Sequence, residues 1–262
     1  MKIKRFTKVI LAFCLSVGIF FATVVPVQAT PIAESAGYVA MMVDANVLGA
    51  GVLYGPVRVR FYEGESAMDI TARFLGNNAE ILTSEWGDFL NGIRLPHNFR
   101  VNVPQVVVDE IGDLHSGATR RGRLLQASDF AETSGWMLTV NDEMSMLGAS
   151  GEFPQNGDVI RWEFSLNFGN DLGFEDWEGN PGLIERVDRS ELIAAVMRPC
   201  NPSRANITWS MTTLGNLLAT QDEIDDVALT LMMCVSPAFW WSNLPAWLQW
   251  ILRYILFGWI WM

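Results

Sequence analysis

Residues 134–164 read SGWMLTVNDEMSMLGASGEFPQNGDVIRWEF, and this stretch decides the fold that we expect. Apolar and polar side chains alternate at both of its ends, and this two-residue period is typical of strands with one buried face. The two ends are therefore predicted to be neighbouring strands whose apolar faces pack together, with Arg161 and Glu163 facing outward. The predicted inward set is Trp136, Leu138, Val140, Ile160, Trp162, Phe164 and Leu166.

The connection between the two strands combines a turn with an apolar loop. Asn156-Gly157-Asp158 is typical of a tight turn, because glycine supplies a positive φ without steric cost. Met144, Met146 and Leu147 lie in a segment rich in glycine and serine, where flexible apolar side chains can form an adaptable binding lip. The connection predicts one wall of a ligand site, and a plain scaffold hairpin is the alternative.

A ligand pocket combines apolar walls with a few placed polar groups. Asn141 and Asp142, at the end of the first strand, are the predicted polar contacts. Trp136 lies on the inward face, so we expect a core residue that supports the lip from behind. The candidate ligand-binding residues are Trp136, Asn141, Asp142, Met144, Met146 and Leu147.

The segment before this stretch predicts a helix laid on a small sheet. In VRVRFY, at 57–62, every second residue is apolar, as in a half-buried strand. Ser66 and Asp69 then stand at the spacing of a capping box, and Met68 and Leu75 recur at helical spacing. Strand, helix and further strands in this order predict an α+β domain.

The pattern changes after residue 173. Residues 174–187 are rich in Gly, Asn and Pro and predict a linker, whereas residues 188–235 have a helical period and predict three short helices, DRSELIAAVMR, ITWSMTTLGNLLA and TQDEIDDVALTLMMCV. In an up-down-up bundle the first and third helices end on the same side. Cys200 and Cys234 close those two helices, so we expect a disulfide between them or, alternatively, two buried thiols.

The two ends of the chain have their own patterns. Residues 1–29 carry four early cations, an apolar run and a small-x-small ending at Ala29, which predicts a cleaved secretory signal peptide rather than a permanent anchor. Residues 238–262 hold six of the eleven tryptophans and predict an apolar C-terminal helix in or on a membrane. A last helix packed on the protein's own core is the alternative. We therefore expect an exported protein that is extracellular or at the cell surface, and membrane-associated.

Charge and chemistry narrow the function. Loss of residues 1–29 removes four cations and no acid from a chain of net charge −11, which leaves −15 and disfavours nucleic acid as a partner. The two histidines, His97 and His115, have no partner at metal-ligand spacing, and we find no motif of a nucleophile or of a phosphate-cradling loop. Glu175, Asp176 and Glu178 are interpreted as solvated turn residues. We expect neither an enzyme nor a metal site.

A family resemblance gives the opening stretch a context. SGWMLTVND, Gly148 and NGDVIRWEFSLNFGNDLG, with GPVRVRFYEGESAMDITARFL upstream, resemble the DUF4430 domain, the transcobalamin-like C-terminal domain of bacterial surface proteins. The likeness spans residues 38–173, although the stretch from Pro96 to Arg123 is longer than the pattern. It implies a β-grasp-like sheet with one packed helix, similar to the domain that closes over cobalamin. The implied ligand is a corrinoid, with a second surface protein or domain supplying the other wall.

The helical region has a likeness of its own. NITWSMTTLGNLLATQDEIDDVALTL resembles the FIVAR repeat, a three-helix module of surface proteins, with a shortened middle helix. This resemblance implies a spacer or an interaction module.

Two functions follow from the sequence. One is a surface ligand-binding protein that contributes a wall of a corrinoid site, and the other is a structural or adhesive protein with the sheet as scaffold and the bundle as stalk.

Overall fold

The computed structural model describes residues 35–85, 87–97, 99–118, 122–198 and 203–233. Eight strands and five α-helices lie within these ranges, with short 3-10 turns between some of them. The elements are β1 (Ser35–Asp44), β2 (Val52–Tyr62), α1 (Ala67–Leu75), β3 (Ala79–Ser84), β4 (Gly87–Arg94), α2 (Gln105–Ile111), β5 (Leu124–Gln126), β6 (Gly135–Val140), β7 (Glu143–Met144), β8 (Val159–Ser165), α3 (Ser190–Val196), α4 (Arg204–Leu214) and α5 (Gln221–Met233).

The strands form two sheets. The main sheet has the order β2-β1-β8-β6-β7, and β3, β4 and β5 form a second, antiparallel sheet. β1 and β2 are an antiparallel hairpin, whereas β8 runs parallel to β1 in the middle of the sheet, with Ala40 opposite Val159. β6 is antiparallel to the other side of β8, so Trp136 lies opposite Phe164. A hairpin, a helix and a last strand parallel to the first are the arrangement of a β-grasp sheet, and the predicted α+β fold is confirmed.

Helix α1 begins where its sequence predicts. Ser66 Oγ accepts the backbone N–H of Asp69, and the Asp69 carboxylate accepts the backbone N–H of Ser66, which is the predicted capping box. The next two N–H groups, from Ala67 and Met68, donate to carbonyls of the loop after β7, at 2.8 Å and 2.9 Å. The start of α1 therefore anchors the loop that carries the candidate lip.

Each face of the main sheet has its own core. On one face Met41, Trp162 and Phe164 pack with α1 and the second sheet. On the other face Ala40 and Met42 pack with α3, α4 and α5. Alternate residues of β1 thus enter different cores, as the two-residue period of a strand requires. The helical region covers the sheet instead of standing apart from it.

The expectation that Arg161 and Glu163 face outward to solvent is wrong. Both side chains do lie on the opposite face of β8 from Trp162, but they are only 2% and 1% exposed. Helices α3–α5 and residues 167–189 cover that face of the sheet, so solvent does not reach the two side chains. Their charges are matched by ion pairs instead of by water.

The three predicted helices of residues 188–235 are present, and the middle one has different bounds. α4 begins at Arg204, where Ser203 Oγ accepts the backbone N–H of Asn206, and it ends at Leu214 instead of continuing to Ala219. The Leu214 carbonyl accepts a hydrogen bond of 2.8 Å from Asn46 Nδ2, in the 3-10 turn between β1 and β2. The helix ends at its C-cap Gly215, a residue that is common at helix ends, and the Asn46 contact satisfies one of the carbonyls left free there.

The remaining predicted segments lie between and beyond these elements. Residues 174–187, the predicted linker, contain neither helix nor strand. The long stretch from Pro96 to Arg123 contains α2. The signal peptide, Cys200, Cys234 and residues 238–262 lie outside the described residues. Among the helices within the described ranges, none has the length and apolar character needed to cross a bilayer.

Candidate functional site

The loop between β7 and β8 forms an anchored lip beside the main sheet. Asn141 and Asp142 make the tight turn from β6 into β7, and both have positive φ, at 52° and 66°. Beyond the turn, Ser145 N–H donates to the Leu138 carbonyl at 2.9 Å, and Ser145 Oγ donates to Glu152 at 2.7 Å. Met146 and Leu147 project from this anchored frame and are 75% and 73% exposed.

An outer cleft of about 310 Å³ opens beside this lip. Two of the predicted lip residues, Met144 and Met146, form one side of it, and the segment from residue 167 to residue 177 forms the other. Phe168 and Trp177 are 56% and 83% exposed, so aromatic faces are available at its mouth. The lining residues are Met144, Met146, Asn167, Phe168, Asn170, Glu175, Asp176 and Trp177.

A tight turn presents Trp177. Asp176 Oδ1 accepts the backbone N–H groups of Glu178 and Asn180, at 2.9 Å and 2.8 Å, and Asp176 Oδ2 accepts the Asn180 amide. Hydrogen bonds from Asn180 lower the pKa of Asp176, so the carboxylate that holds the turn stays ionised. The tryptophan is exposed, but the backbone that carries it is fixed.

An inner cleft of about 300 Å³ lies between β6, β4 and the loop after β7. Trp136 lines it, and this residue is in the core as predicted. Its Nε1 donates to the Leu125 carbonyl at 3.0 Å, and its ring meets Phe164 edge to face at 5.1 Å. Met144 lines both clefts, so Trp136 supports the lip through the inner cleft and not through the outer one.

The side chains of Asn141 and Asp142 form hydrogen bonds with other residues of the chain. Asn141 Oδ1 accepts the backbone N–H of Val159 at 2.9 Å, and its Nδ2 donates to Asp158 at 2.9 Å. Asp142 accepts two hydrogen bonds from Arg186, at 2.7 Å and 2.9 Å. Neither residue lines either cleft, and the polar groups of the outer cleft are Asn167, Asn170, Glu175 and Asp176 instead. Leu147 lines neither cleft and stands on the outer side of the lip.

Asp142 belongs to a buried ion cluster, which we define as Asp44, Asp142, Arg161, Glu163 and Arg186. Arg161 contacts Asp44 at 2.8 Å and Glu163 at 2.9 Å, and Arg186 contacts both Asp142 and Glu163 at 2.7 Å. Burial raises the pKa of Asp142 to about 6, against the opposing effect of the two arginines. Burial also acts to raise the pKa of Glu163, but Arg161 and Arg186 outweigh it and hold that pKa at about 2.

Through Arg186 the ion cluster sets the wall of the outer cleft. Arg186 Nη1 donates to the Leu172 carbonyl at 3.3 Å, and its guanidinium lies 4.2 Å from the centre of the Phe174 ring. Gly173 has φ of 97°, and a Cβ there would lie 2.9 Å from the Arg186 backbone, so only glycine fits this close approach. The segment that carries Phe168 and Trp177 is therefore tied to the sheet by a buried cation.

Sequence patterns missed the aromatic side of the cleft. The stretch around Trp177 has the composition of a solvated linker, and the tryptophan was its one unusual residue. No group of three or more potential ligands gathers around a metal position in the part of the chain that the structure describes. His115 Nε2 lies 2.8 Å from the Ser128 carbonyl, away from the lip.

Comparison with known protein families matches part of the chain. The model of DUF4430, a domain of unknown function, matches residues 110–165, a range that includes β6, β7, the lip and β8. No curated protein matches the chain. The matched range thus contains the frame of the candidate site, while Phe168 and Trp177 fall beyond it.

Proposed function

We propose that this chain, which carries a DUF4430 domain, is an exported, cell-surface ligand-binding protein without catalytic activity. Its outer cleft would take part of a planar amphipathic ligand of the corrinoid class. The observation that carries this proposal is the pairing of an adaptable methionine lip with exposed aromatic faces across one cleft. Methionine and aromatic side chains would contact the faces of the ligand, and the Asn167 amide and the Asn170 side-chain oxygen its polar edge.

The size of the cleft limits what it can hold. A volume of about 310 Å³ is at the lower end of the range for small-molecule sites. A macrocycle as large as a corrinoid would therefore enter only by one edge. A second surface protein or domain would supply the opposite wall, and we expect weak corrinoid binding by this chain alone.

An adhesive role is the second candidate. It is favoured by Met146, Leu147 and Trp177, which are apolar and lie on exposed turns, because exposed apolar patches also mark protein–protein contacts. A stalk is less well supported, since α3–α5 pack against the main sheet. In the adhesive role the lip would contact another protein and no small molecule would be needed.

Titration of the full chain with cobalamin and cobinamide, followed by visible absorbance, separates these roles. Trp177→Ala and Met146→Ser should each weaken binding about tenfold while leaving the fold intact, because exposed side chains contribute little to stability. Phe153→Ala is the matched control, because Phe153 is 56% exposed and lines neither cleft. If neither corrinoid changes the spectrum, the adhesive role replaces the ligand-binding one.

A further inference from the structure

A group of arginines that pair with no acid among the described residues lies at the main sheet, away from the lip. Arg58 and Arg60 are exposed on β2, opposite Ala40 and Tyr38 of β1, and Arg198 follows α3. Within the ranges that the structure describes, none of the three arginines forms an ion pair, whereas Arg73, Arg161 and Arg186 all do. In a chain with 29 acids and 18 bases, such a group is unexpected.

Two of these arginines are stacked on one tyrosine. The Arg58 guanidinium carbon lies 3.9 Å from the centre of the Tyr38 ring, and that of Arg60 lies 5.6 Å from it. Arg60 Nη2 also donates to the Tyr38 hydroxyl at 3.1 Å. A guanidinium that is held by its face keeps its N–H edge free for a ligand, and this arrangement reduces the entropy lost on binding.

A cleft of about 260 Å³ is lined by Tyr38 and by two of the three arginines. Its lining contains Arg58 from β2, Arg198 from the end of α3 and Asn156 from the turn before β8, and among the described residues it contains no acid. Asp158, which follows Gly157 in the chain, is engaged with Asn141 and with the Gln155 N–H. The full lining is Tyr38, Val39, Ala40, Arg58, Asn156, Gly157, Ala194, Met197 and Arg198.

The amide of Asn156 is fixed as a third donor. Its Oδ1 accepts the Tyr38 N–H at 2.9 Å, which leaves Nδ2 as the donating end. Gly37 makes this position accessible, because a Cβ on Gly37 would lie only 2.5 Å from Asn156 Oδ1. Two guanidinium groups and one amide, from separate elements, thus line one cleft.

We infer that this cleft binds a phosphate group, free or esterified. Arginine forks match the oxygens of phosphate, and a tetrahedral anion offers an oxygen to each of three separate donors where a carboxylate offers two in all. The charge of the cleft is opposite to that of the chain as a whole, so the site selects its ligand by local charge and not by long-range attraction.

The test uses the full chain and two sources of phosphate. Inorganic phosphate is titrated by calorimetry, and vesicles of phosphatidylglycerol are compared with vesicles of phosphatidylcholine by co-sedimentation. Saturable binding of inorganic phosphate assigns the site to a soluble phosphate. Binding to the anionic vesicles alone, lost in the variants below, assigns it to a lipid headgroup.

Substitutions decide whether the cleft is responsible. Arg58→Gln and Arg198→Gln should each weaken binding about tenfold, because each removes a charge-assisted hydrogen bond. Arg58→Lys keeps the charge and loses the two-pronged guanidinium geometry. Its affinity for phosphate should lie between the affinities of the glutamine variants and of the unchanged chain. Arg73→Gln is the matched control, since Arg73 also stacks on a tyrosine, Tyr62, but is paired with Glu65. Absence of binding to both sources, or an equal loss in Arg73→Gln, overturns the inference, and neither result bears on the outer cleft.

Discussion

Asp142 shows how burial changes the chemistry of one residue. Its carboxylate contacts two arginines, yet its pKa is raised to about 6 because it has left water. An unfolded aspartate titrates near pH 4, so the folded chain binds more protons between about pH 4 and pH 6. The contribution of Asp142 to stability therefore increases as the pH falls through this window. The contribution of Glu163 to stability changes in the opposite direction and at lower pH. It is fully present above about pH 4.5 and is lost as the pH falls toward 2.

Asp142→Asn tests this assignment. The variant cannot titrate at residue 142, so the difference in the free energy of unfolding between the natural chain and the variant should shift in favour of the natural chain by about 2–3 kcal/mol from pH 7 to pH 4. Urea unfolding at several pH values measures it. A difference that stays constant over this range would show that Asp142 is already ionised at pH 4.

At the scale of elements, Arg186 joins a loop to the sheet. Arg186→Met should lower the free energy of unfolding by about 3–5 kcal/mol, because Glu163 and Asp142 stay buried and lose a cation. Backbone amides of residues 167–177 should then exchange hydrogen faster, since the wall of the outer cleft loses its tie.

Arg73→Met is the control for this change. The pair that it breaks, with Glu65, has side chains 39% and 22% exposed, and we expect a loss of no more than about 1 kcal/mol. Denaturant unfolding of both variants gives the comparison. Equal losses in the two would contradict a special role for Arg186.

The elements differ in how far their sequence predicted them. The start of α1 was predictable because Ser66 and Asp69 act within one turn of each other. The burial of Arg161 and Glu163 was not predictable in this way. Alternation of apolar and polar residues indicates which face of a strand a side chain lies on, but it does not indicate what covers that face. The cover comes from residues after 166, so it depends on long-range packing. The methionine lip was predicted from local composition. Phe168 and Trp177 across the cleft were not predicted, because their position opposite the lip also depends on long-range packing.

At the scale of the whole molecule, the membrane prediction for residues 238–262 is open to a direct test. A chain that stops at Val235 should be released into the medium, whereas the full chain should fractionate with membranes, because the removed tail holds six tryptophans. Arg253→Leu should strengthen retention, since it removes a charge that must reach the interface. Quantitative release of the full chain into the medium would contradict the membrane prediction.

The parallel pairing of β1 with β8 has a kinetic consequence. Ala40 and Val159 are neighbours in the sheet although most of the described chain lies between them in sequence. The centre of the sheet can close only after β8 has been synthesised, and contacts between such distant segments form slowly, in milliseconds to seconds. Until then β1 has only its hairpin partner β2. If the chain is exported as we propose, this order of assembly would keep the sheet open during passage through the membrane, and the sheet would close only after β8 had crossed.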